Sequence, residues 1–207
     1  MVTIRLSGTH EAELVSRVGA LLRSGGVAAL PAEGVYGLHA LASDRDAVAR
    51  VRRLKGSAER RGFIGLLAAP EDLARWTEPD PVALALASEY WPGALTLVAR
   101  PSPVVPDALR SEDGTVALRC PGSSLLRAIV AAAQGLVIST SANLPGLPPA
   151  LRGQEVLSTW ADLLVDAGPL SGTPSTVVRV EGGRRIVLRE GSVRLREATL
   201  DDGPGAA

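Results

Sequence analysis

Five separate stretches of the chain place polar side chains directly after an apolar run. Ligands of α/β proteins usually bind where loops meet beyond the ends of strands. We therefore expect these stretches to converge on one site. They are PAEGVYGL (31–38), RRLKGSAERR (52–61), TVALRCPG (115–122), ISTSANLPGLPP (138–149) and GTPSTVV (172–178).

The stretch 138–149 is the most informative of the five. It places three hydroxyl groups and one amide after a predicted buried strand, and a stiff segment of proline and glycine comes next. Such groups can bind phosphate or ribose oxygens through short hydrogen bonds without adding charge. The alternative is a turn in which Ser, Thr and Asn side chains bond to the local backbone, and composition alone favours that turn.

A basic run lies between residues 50 and 61, where six cationic residues accompany one acid, Glu59. A solvated helix face is the usual meaning of such a run. Lys55 is the single lysine of a chain that otherwise uses arginine. A compact ammonium at this place indicates a group that neutralises phosphate oxygens, with chance as the alternative.

Three further residues stand near predicted strand ends, and each has a structural and a binding interpretation. Arg119 could form a structural ion pair or bind a carboxylate. Ser175 precedes a strand, where it could simply cap the backbone, and Arg189 ends another strand, where it could be a surface residue. The residues alone leave these alternatives open.

Composition argues against several classes of protein. Basic and acidic residues number 22 each, which does not fit a disordered chain or a globally basic nucleic-acid-binding protein. One cysteine and two histidines exclude an internal disulfide and argue against a zinc site or a serine-protease triad. Phosphate-loop and dinucleotide motifs are missing from the sequence. We find no membrane helix or signal peptide and expect a cytoplasmic protein.

Hydrophobic periodicity and turn residues predict helices that alternate with strands. A first helix is predicted to run to about Arg23 with Thr9 as its cap, and a second is predicted to begin at a capping box formed by Ser43 and Asp46. Further helices are predicted at 71–76, 82–90, 124–133 and 154–160. Strands are predicted at 27–30, 63–69, 95–99, 115–119, 136–139, 163–166, 176–180 and 186–189, and loops at 31–38 and 141–149. Because short connections and a terminal hairpin do not fit an all-parallel sheet, we predict one α/β domain with helices and a mixed sheet.

The polar stretches, taken in order, resemble the YrdC-type domain of threonylcarbamoyl-AMP synthases, and most of all its short bacterial, TsaC-type form. ISTSANLPGLPP resembles the family pattern STSANxSGxPP, and WPGALTLV (91–98) resembles WPGPxTxx. VALR (116–119), PSTVV (174–178) and PAEGVYGL match three further family motifs. The resemblance spans about 15–192. It implies a YrdC-like domain over 8–193 and leaves a partly disordered tail at 194–207.

The resemblance also implies a reaction. The family condenses L-threonine, bicarbonate and ATP into threonylcarbamoyl-AMP and pyrophosphate, and Mg²⁺ accompanies the ATP. A downstream transferase then places the threonylcarbamoyl group on an adenosine of tRNA, so contact with RNA is a further expectation. The resemblance also implies the family fold, a twisted mixed parallel/antiparallel sheet with flanking helices around a large basic cavity.

Residue roles are implied by the resemblance through motif position. A carbamate loses CO₂ easily, so the site must hold it beside the α-phosphate and offset charge as pyrophosphate leaves. The implied catalytic residues, which face the triphosphate, are Lys55 and Arg61. The other implied ATP-binding residues are Thr115, Ser141, Asn143 and Arg189, and the implied threonine-binding residues are Arg119, Ser139 and Ser175.

Several positions depart from the family pattern. The K-x-R-P motif reads Lys55, Gly56, Ser57 and Ala58, and Arg60 or Arg61 could supply the missing charge. Ala32 replaces a threonine, Pro145 replaces a serine and Arg179 stands where an acid is usual. Two alternatives therefore stay open. One is a catalytically weak paralogue that binds nucleotide or structured RNA. The other is an enzyme that acts on another carbamoyl- or acyl-adenylate.

Overall fold

Ten strands pair into one continuous mixed sheet in the structure, a computed structural model that describes residues 1–56, 62–78 and 80–196. The strands are β1 Val2–Arg5, β2 Ala28–Pro31, β3 Tyr36–Leu41, β4 Ile64–Leu66, β5 Leu95–Ala99, β6 Val116–Arg119, β7 Val137–Ser141, β8 Leu163–Asp166, β9 Thr176–Glu181 and β10 Arg184–Arg189. The helices are α1 Glu11–Arg23, α2 Arg45–Lys55, α3 Leu73–Trp76, α4 Pro81–Tyr90 and α5 Ser124–Ala133.

The order of the strands determines which loops can meet. It runs β1-β8-β2-β3-β7-β4-β6-β5-β9-β10. The pairs β1–β8, β8–β2, β4–β6 and β5–β9 are parallel, and the other neighbours are antiparallel. The prediction of one α/β domain with a mixed sheet and flanking helices is therefore confirmed.

Helices cover both faces of this sheet. On one face α1 and α5 pack against each other, and Val18 and Ile129 belong to the apolar cluster that they share with the strands. On the other face α2 and α4 contribute Val51 and Leu86 to a second, larger cluster. Among the described residues, no helix combines the length and the apolar character that a bilayer span requires.

The N-caps of two helices each lie one residue after the predicted caps. Asp44, rather than Ser43 and Asp46, caps α2, because its carboxylate accepts a hydrogen bond from the backbone NH of Ala47 at 2.9 Å. The hydroxyl of Thr9, the predicted cap of α1, instead donates to a backbone oxygen at the end of β1. Helix α1 accordingly starts after the following residue.

Two predicted segments are wrong in kind. The predicted loop 31–38 overlaps β3, which is hydrogen-bonded on both sides, to β2 and β7. The glycine and the histidine of β3 weaken its strand pattern in the sequence. Hydrogen bonding to a neighbouring strand on each side nevertheless makes this segment a strand. The helix predicted at 154–160 is only a 3-10 turn over Gly153–Glu155.

The proposed limits of the domain can be compared with the sheet. Strand β1 precedes the predicted start at residue 8 and pairs with β8 in the same sheet. The sheet therefore includes residues N-terminal to that start. Residues 197–207 lie outside the described part of the chain, so the tail at 194–207 stays a prediction.

Close packing of α1 against α5 makes Gly19 a sensitive position. A Cβ added there would lie 2.6 Å from Ala132 Cβ. We expect Gly19→Ala to lower the free energy of unfolding by about 1–3 kcal/mol, although alanine favours a helix by up to about 1 kcal/mol over glycine. Urea unfolding measures the effect.

Ser16→Ala on the exposed side of α1 is the matched control. It introduces the same residue without the contact and should change the free energy of unfolding by at most about 0.5 kcal/mol. A Gly19→Ala variant as stable as wild type would contradict the close approach of α1 and α5.

Candidate active site

A cavity of about 780 Å³ lies over one face of the sheet between β3 and β9. Its floor consists of residues at equivalent positions on neighbouring strands, because paired residues project to the same side of a sheet. One such row crosses five strands and consists of Ser139, Ile64, Ala117, Val98 and Arg179. The volume falls within the range of about 300–1,000 Å³ that is typical of small-molecule sites.

Each of the five polar stretches contributes to this cavity. The side chains predicted from the sequence that line it are Lys55, Thr115, Arg119, Ser139, Ser141, Ser175 and Arg189. Asn143 does not line it but contacts two residues that do. Arg61 lies outside the described residues, as do Ser57, Ala58 and Arg60, so their part in the site stays a prediction.

Lys55, the last residue of α2, is buried and binds the loop that follows β7. Its Nζ donates to the backbone oxygens of Ser141 and Asn143, both at 3.0 Å, and to Asn143 Oδ1 at 2.8 Å. The Asn143 amide donates in turn to the backbone oxygens of Leu144 and Leu147. The hydrogen-bonded turn considered from the sequence is therefore present, and Lys55 holds it beside the cavity.

Arg119 forms a nearly buried ion pair with Glu33. Nη2 of Arg119 lies 3.0 Å from Glu33 Oε2, and the side chains are only 6% and 13% exposed. Glu33 Oε1 also accepts a hydrogen bond from the backbone NH of Gly122 at 2.8 Å. Nε of Arg119 is buried and has no hydrogen-bond partner within the described residues. The structural ion pair is thus real, and the guanidinium keeps donor capacity at the cavity.

Arg189 is anchored on Ser175. Its Nε and Nη2 donate to the backbone oxygen of Ser175 at 3.1 and 2.9 Å, and Nη2 also reaches Ser175 Oγ at 3.1 Å. Ser175 Oγ lies 2.9 Å from the hydroxyl oxygen of Thr96. Burial lowers the pKa of Arg189 from its ordinary value. The group assigned to the nucleotide and the group assigned to threonine therefore adjoin.

Asp113 joins two other residues of the cavity. Its carboxylate accepts from the Thr115 hydroxyl at 2.7 Å and pairs with Arg179. The hydrogen bond from Thr115, followed by the bond from Arg179, holds the pKa of Asp113 below its usual range. The motif comparison marks Arg179 only as a departure from the family pattern, and no motif marks Asp113.

The described lining is mixed in charge rather than uniformly basic. Its acidic members are Glu33, Glu112 and Asp113, and its cationic members are Lys55, Arg119, Arg179 and Arg189. Two of the acids, Glu33 and Asp113, lie in loops and pair with arginines at the end of β6 and on β9. Sequence reasoning misses the acids because their partners are distant in sequence.

His39 is a further residue that the sequence does not assign to the site. It lies on β3 directly opposite Ser139 of β7, is fully buried, and places Nε2 3.2 Å from Ser139 Oγ. Burial, followed by the positive charge of Arg119, lowers the pKa of His39 to about 3. The ring is therefore neutral at physiological pH. No sequence motif signals this contact, which exists only through strand pairing.

Comparison with known proteins gives the family. Residues 20–191 match the family model Sua5_yciO_yrdC, described as "Telomere recombination". The chain belongs to this family. The resemblance drawn from the motifs, which cover the same region, is thereby confirmed.

Individual relatives agree with the family model. Threonylcarbamoyl-AMP synthase of Bacillus subtilis (strain 168) is 35% identical over 92% of this chain and 57% of its own length. The protein of the same name from Halorhodospira halophila is 38% identical over 76% of this chain and 84% of its own length. The crystal structure of Pyrococcus abyssi Sua5 complexed with L-threonine has a TM-score of 0.82 and 30% identity, and covers 92% of this chain.

The lengths of these proteins differ. The chain spans 57% of the Bacillus subtilis relative and 57% of the Pyrococcus abyssi chain. It therefore corresponds to little more than half of those two proteins, and to most of the one from Halorhodospira halophila.

The contacts of Lys55 make a prediction about stability. Lys55→Met keeps an apolar stem of similar length but removes the ammonium from three part-buried loop acceptors. We expect the free energy of unfolding to fall by roughly 2–4 kcal/mol. Arg53→Met, at an exposed position of the same helix, should change it by at most about 0.5 kcal/mol. Equal effects in urea unfolding would contradict the role of Lys55 in holding the loop.

His39 makes a prediction about pH. Because its pKa is about 3 in the folded chain against an ordinary 6.5, the unfolded state binds more protons below pH 6.5. The contribution of neutral His39 to the free energy of unfolding is fully present above pH 6.5 and is lost as the pH falls toward 3. Relative to His39→Gln, wild type should lose roughly 2 kcal/mol of unfolding free energy between pH 7.5 and 5. A difference between the two proteins that does not change with pH would contradict a buried neutral ring.

Proposed function

We propose that the chain condenses L-threonine, bicarbonate and ATP into threonylcarbamoyl-AMP and pyrophosphate. The observation that carries this proposal is the convergence of five distant stretches on one cavity of about 780 Å³. That cavity is large enough for a nucleotide beside a small amino acid. Its support is the similarity to several proteins named threonylcarbamoyl-AMP synthase and to a Sua5 crystallised with L-threonine.

The proposed threonine site lies around Arg119. The buried guanidinium, fixed on one side by Glu33, would bind the carboxylate through charge-assisted hydrogen bonds. Ser139 and Ser175, both nearly buried in the cavity wall, would add short hydrogen bonds. Their small side chains leave room for a ligand.

The proposed nucleotide site lies beside it. Arg189, held by Ser175, would contact phosphate, and Thr115 and Ser141 would contact phosphate or ribose oxygens. Asn143 would act through the loop that it organises. Lys55 and Arg61 complete the proposed set at the triphosphate, as catalytic residues.

Mg²⁺ is proposed to arrive with ATP. Among the described residues no group of three or more His, Cys, Asp or Glu side chains could hold a metal by itself. Magnesium commonly binds through one or two carboxylates together with substrate phosphates. Glu112 and Asp113 are adjacent carboxylates in the lining and are the proposed ligands, Asp113 through the capacity that its pair with Arg179 leaves; the bound ion would offset phosphate charge.

The proposed reaction has two bond-forming steps. The threonine amine attacks the carbonyl carbon of bicarbonate, and water leaves to give a carbamate. A carbamate oxygen then attacks the α-phosphorus, and the bond to pyrophosphate breaks. Positioning of the reactants in the cavity and fixed cations near the departing charge would supply most of the acceleration.

The chemistry of the product indicates the class of reaction that consumes it. A mixed anhydride of a carbamate and AMP is reactive, so a transferase must use it soon after release. We propose that this transferase acts on tRNA in the cytoplasm. Any contact between the present chain and RNA is secondary to its proposed synthesis of the adenylate.

Pyrophosphate release tests the proposal directly. We expect ATP-dependent release that requires both L-threonine and bicarbonate, and threonylcarbamoyl-AMP as the product detected by mass spectrometry. Nucleotide or RNA binding without threonine-dependent release would instead support the weak paralogue. Release without any dependence on threonine would support an enzyme for another adenylate.

Arg119→Gln tests the assignment of the carboxylate site. Loss of a charge-assisted contact should raise the KM for threonine at least about tenfold, with little change in the KM for ATP. Arg100→Gln, at an exposed position outside the cavity lining, is the control and should leave both constants unchanged. The threonine assignment is wrong if Arg119→Gln, still folded by circular dichroism, keeps the wild-type KM.

A further inference from the structure

His39 is a buried polar residue in contact with the proposed threonine site. Its Cα is paired with Ala28 on one side and with Ser139 on the other, so its ring lies in the same row as the cavity floor. The ring itself is fully buried and does not line the cavity. Its link to the cavity is the contact of 3.2 Å between Nε2 and Ser139 Oγ.

The surroundings of the ring determine where its single proton lies. Nδ1 is buried without a hydrogen-bond partner among the described residues. A buried NH without an acceptor is rarer in proteins than an acceptor that lacks a donor. The tautomer with its proton on Nε2 gives that NH an acceptor in Ser139 Oγ, whereas a proton on Nδ1 meets no acceptor with hydrogen-bond geometry among the described residues. Backbone groups of Gly37 and Ala28 also act on the ring and raise its pKa against the effect of burial.

This arrangement fixes the hydroxyl of Ser139. When Nε2–H donates to Oγ, the Ser139 hydrogen must point elsewhere. Ser139 lines the cavity, and Arg119 of the same cavity wall carries a buried Nε that has no hydrogen-bond partner within the described residues. In this tautomer both groups have a donor that no described residue accepts, and a carboxylate is the ligand that accepts from both.

We propose that His39 is a positioning residue that donates to Ser139 Oγ and so turns the Ser139 hydrogen toward the cavity, where Ser139 and Arg119 together bind the carboxylate of the amino acid. This inference rests on the proposed function and extends it. His39 never touches the substrate. It acts by making the Ser139 hydroxyl a donor rather than an acceptor.

The same surroundings exclude a role for His39 as a general base. Arg119 is the cation that acts on the ring, and protonation would place a second positive charge in a buried region beside it. Transfer of a substrate proton through Ser139 to His39 would therefore be unfavourable. The ring works as a fixed donor.

Nitrogen-15 NMR of histidine-labelled protein tests the first half of the proposal. The chain has two histidines, and His10 is exposed, so a His10→Gln variant assigns the spectrum. We expect the His39 proton on Nε2, no titration between pH 5 and 8, and a shift of the Nε2 resonance in Ser139→Ala. A proton on Nδ1, or titration within that range, would overturn the proposal.

A double-mutant cycle on threonine affinity tests the second half. His39→Met removes the donor and should weaken threonine binding about 5-fold while ATP binding stays within about 2-fold. His39→Gln, which keeps an NH near the position of Nε2, should restore most of the affinity. In the Ser139→Ala background, His39→Met should have no further effect.

The outcomes separate this proposal from the proposed function. If wild type binds threonine but the effect of His39→Met persists in Ser139→Ala, His39 has only a packing role and the inference is wrong. If wild type binds no threonine, the proposed function fails and the carboxylate part of the inference fails with it. The NMR result decides the hydrogen bond in either case, including one in which His39→Met does not fold.

Discussion

The buried contact between Arg119 and Glu33 is the interaction on which the site depends. It ties the end of β6 to the connection between β2 and β3, so two distant stretches meet at one cavity wall. A buried ion pair often adds little net stability, because desolvation of both charges offsets their attraction. Its effect here is positional, since it fixes a cation whose remaining donors stay at the cavity.

The charge of Arg119 also acts on its neighbours. Burial lowers the pKa of Arg119, Glu33 opposes this change, and the nearby charge of Arg189 adds to it. Arg119 also helps to keep His39 neutral. Two arginines that repel each other beside one cavity are stabilised by an anion bound between them. A carboxylate beside a phosphate would provide such charge, which is why the two proposed subsites adjoin.

Sequence patterns predict the parts of the structure that depend on local residues. Strand β5, strand β8 and helix α5 have the predicted bounds, because apolar runs and turn residues mark them without tertiary information. The sequence predicts a loop where β3 lies, because these residues have little strand pattern and only pairing with β2 and β7 makes them a strand. The contacts of Glu33 and His39 cannot be seen in the sequence either, since the partner of each lies on a strand that is distant along the chain. Lys55 can be singled out from the sequence because it is the single lysine of the chain. Its contacts with the loop after β7 become visible only in the folded structure.

The mixed charge of the described lining limits how a triphosphate can be held. Glu33 is paired with Arg119 and Asp113 is paired with Arg179. The ammonium of Lys55 already binds three loop oxygens. Few cationic donors of the described lining thus remain for a ligand that carries several negative charges. Fixed charges in a cavity act strongly because the surroundings screen them poorly. In the proposed function, binding of ATP would therefore draw on positive charge beyond this described lining, and the proposed magnesium ion, which travels with the phosphates, would supply part of it.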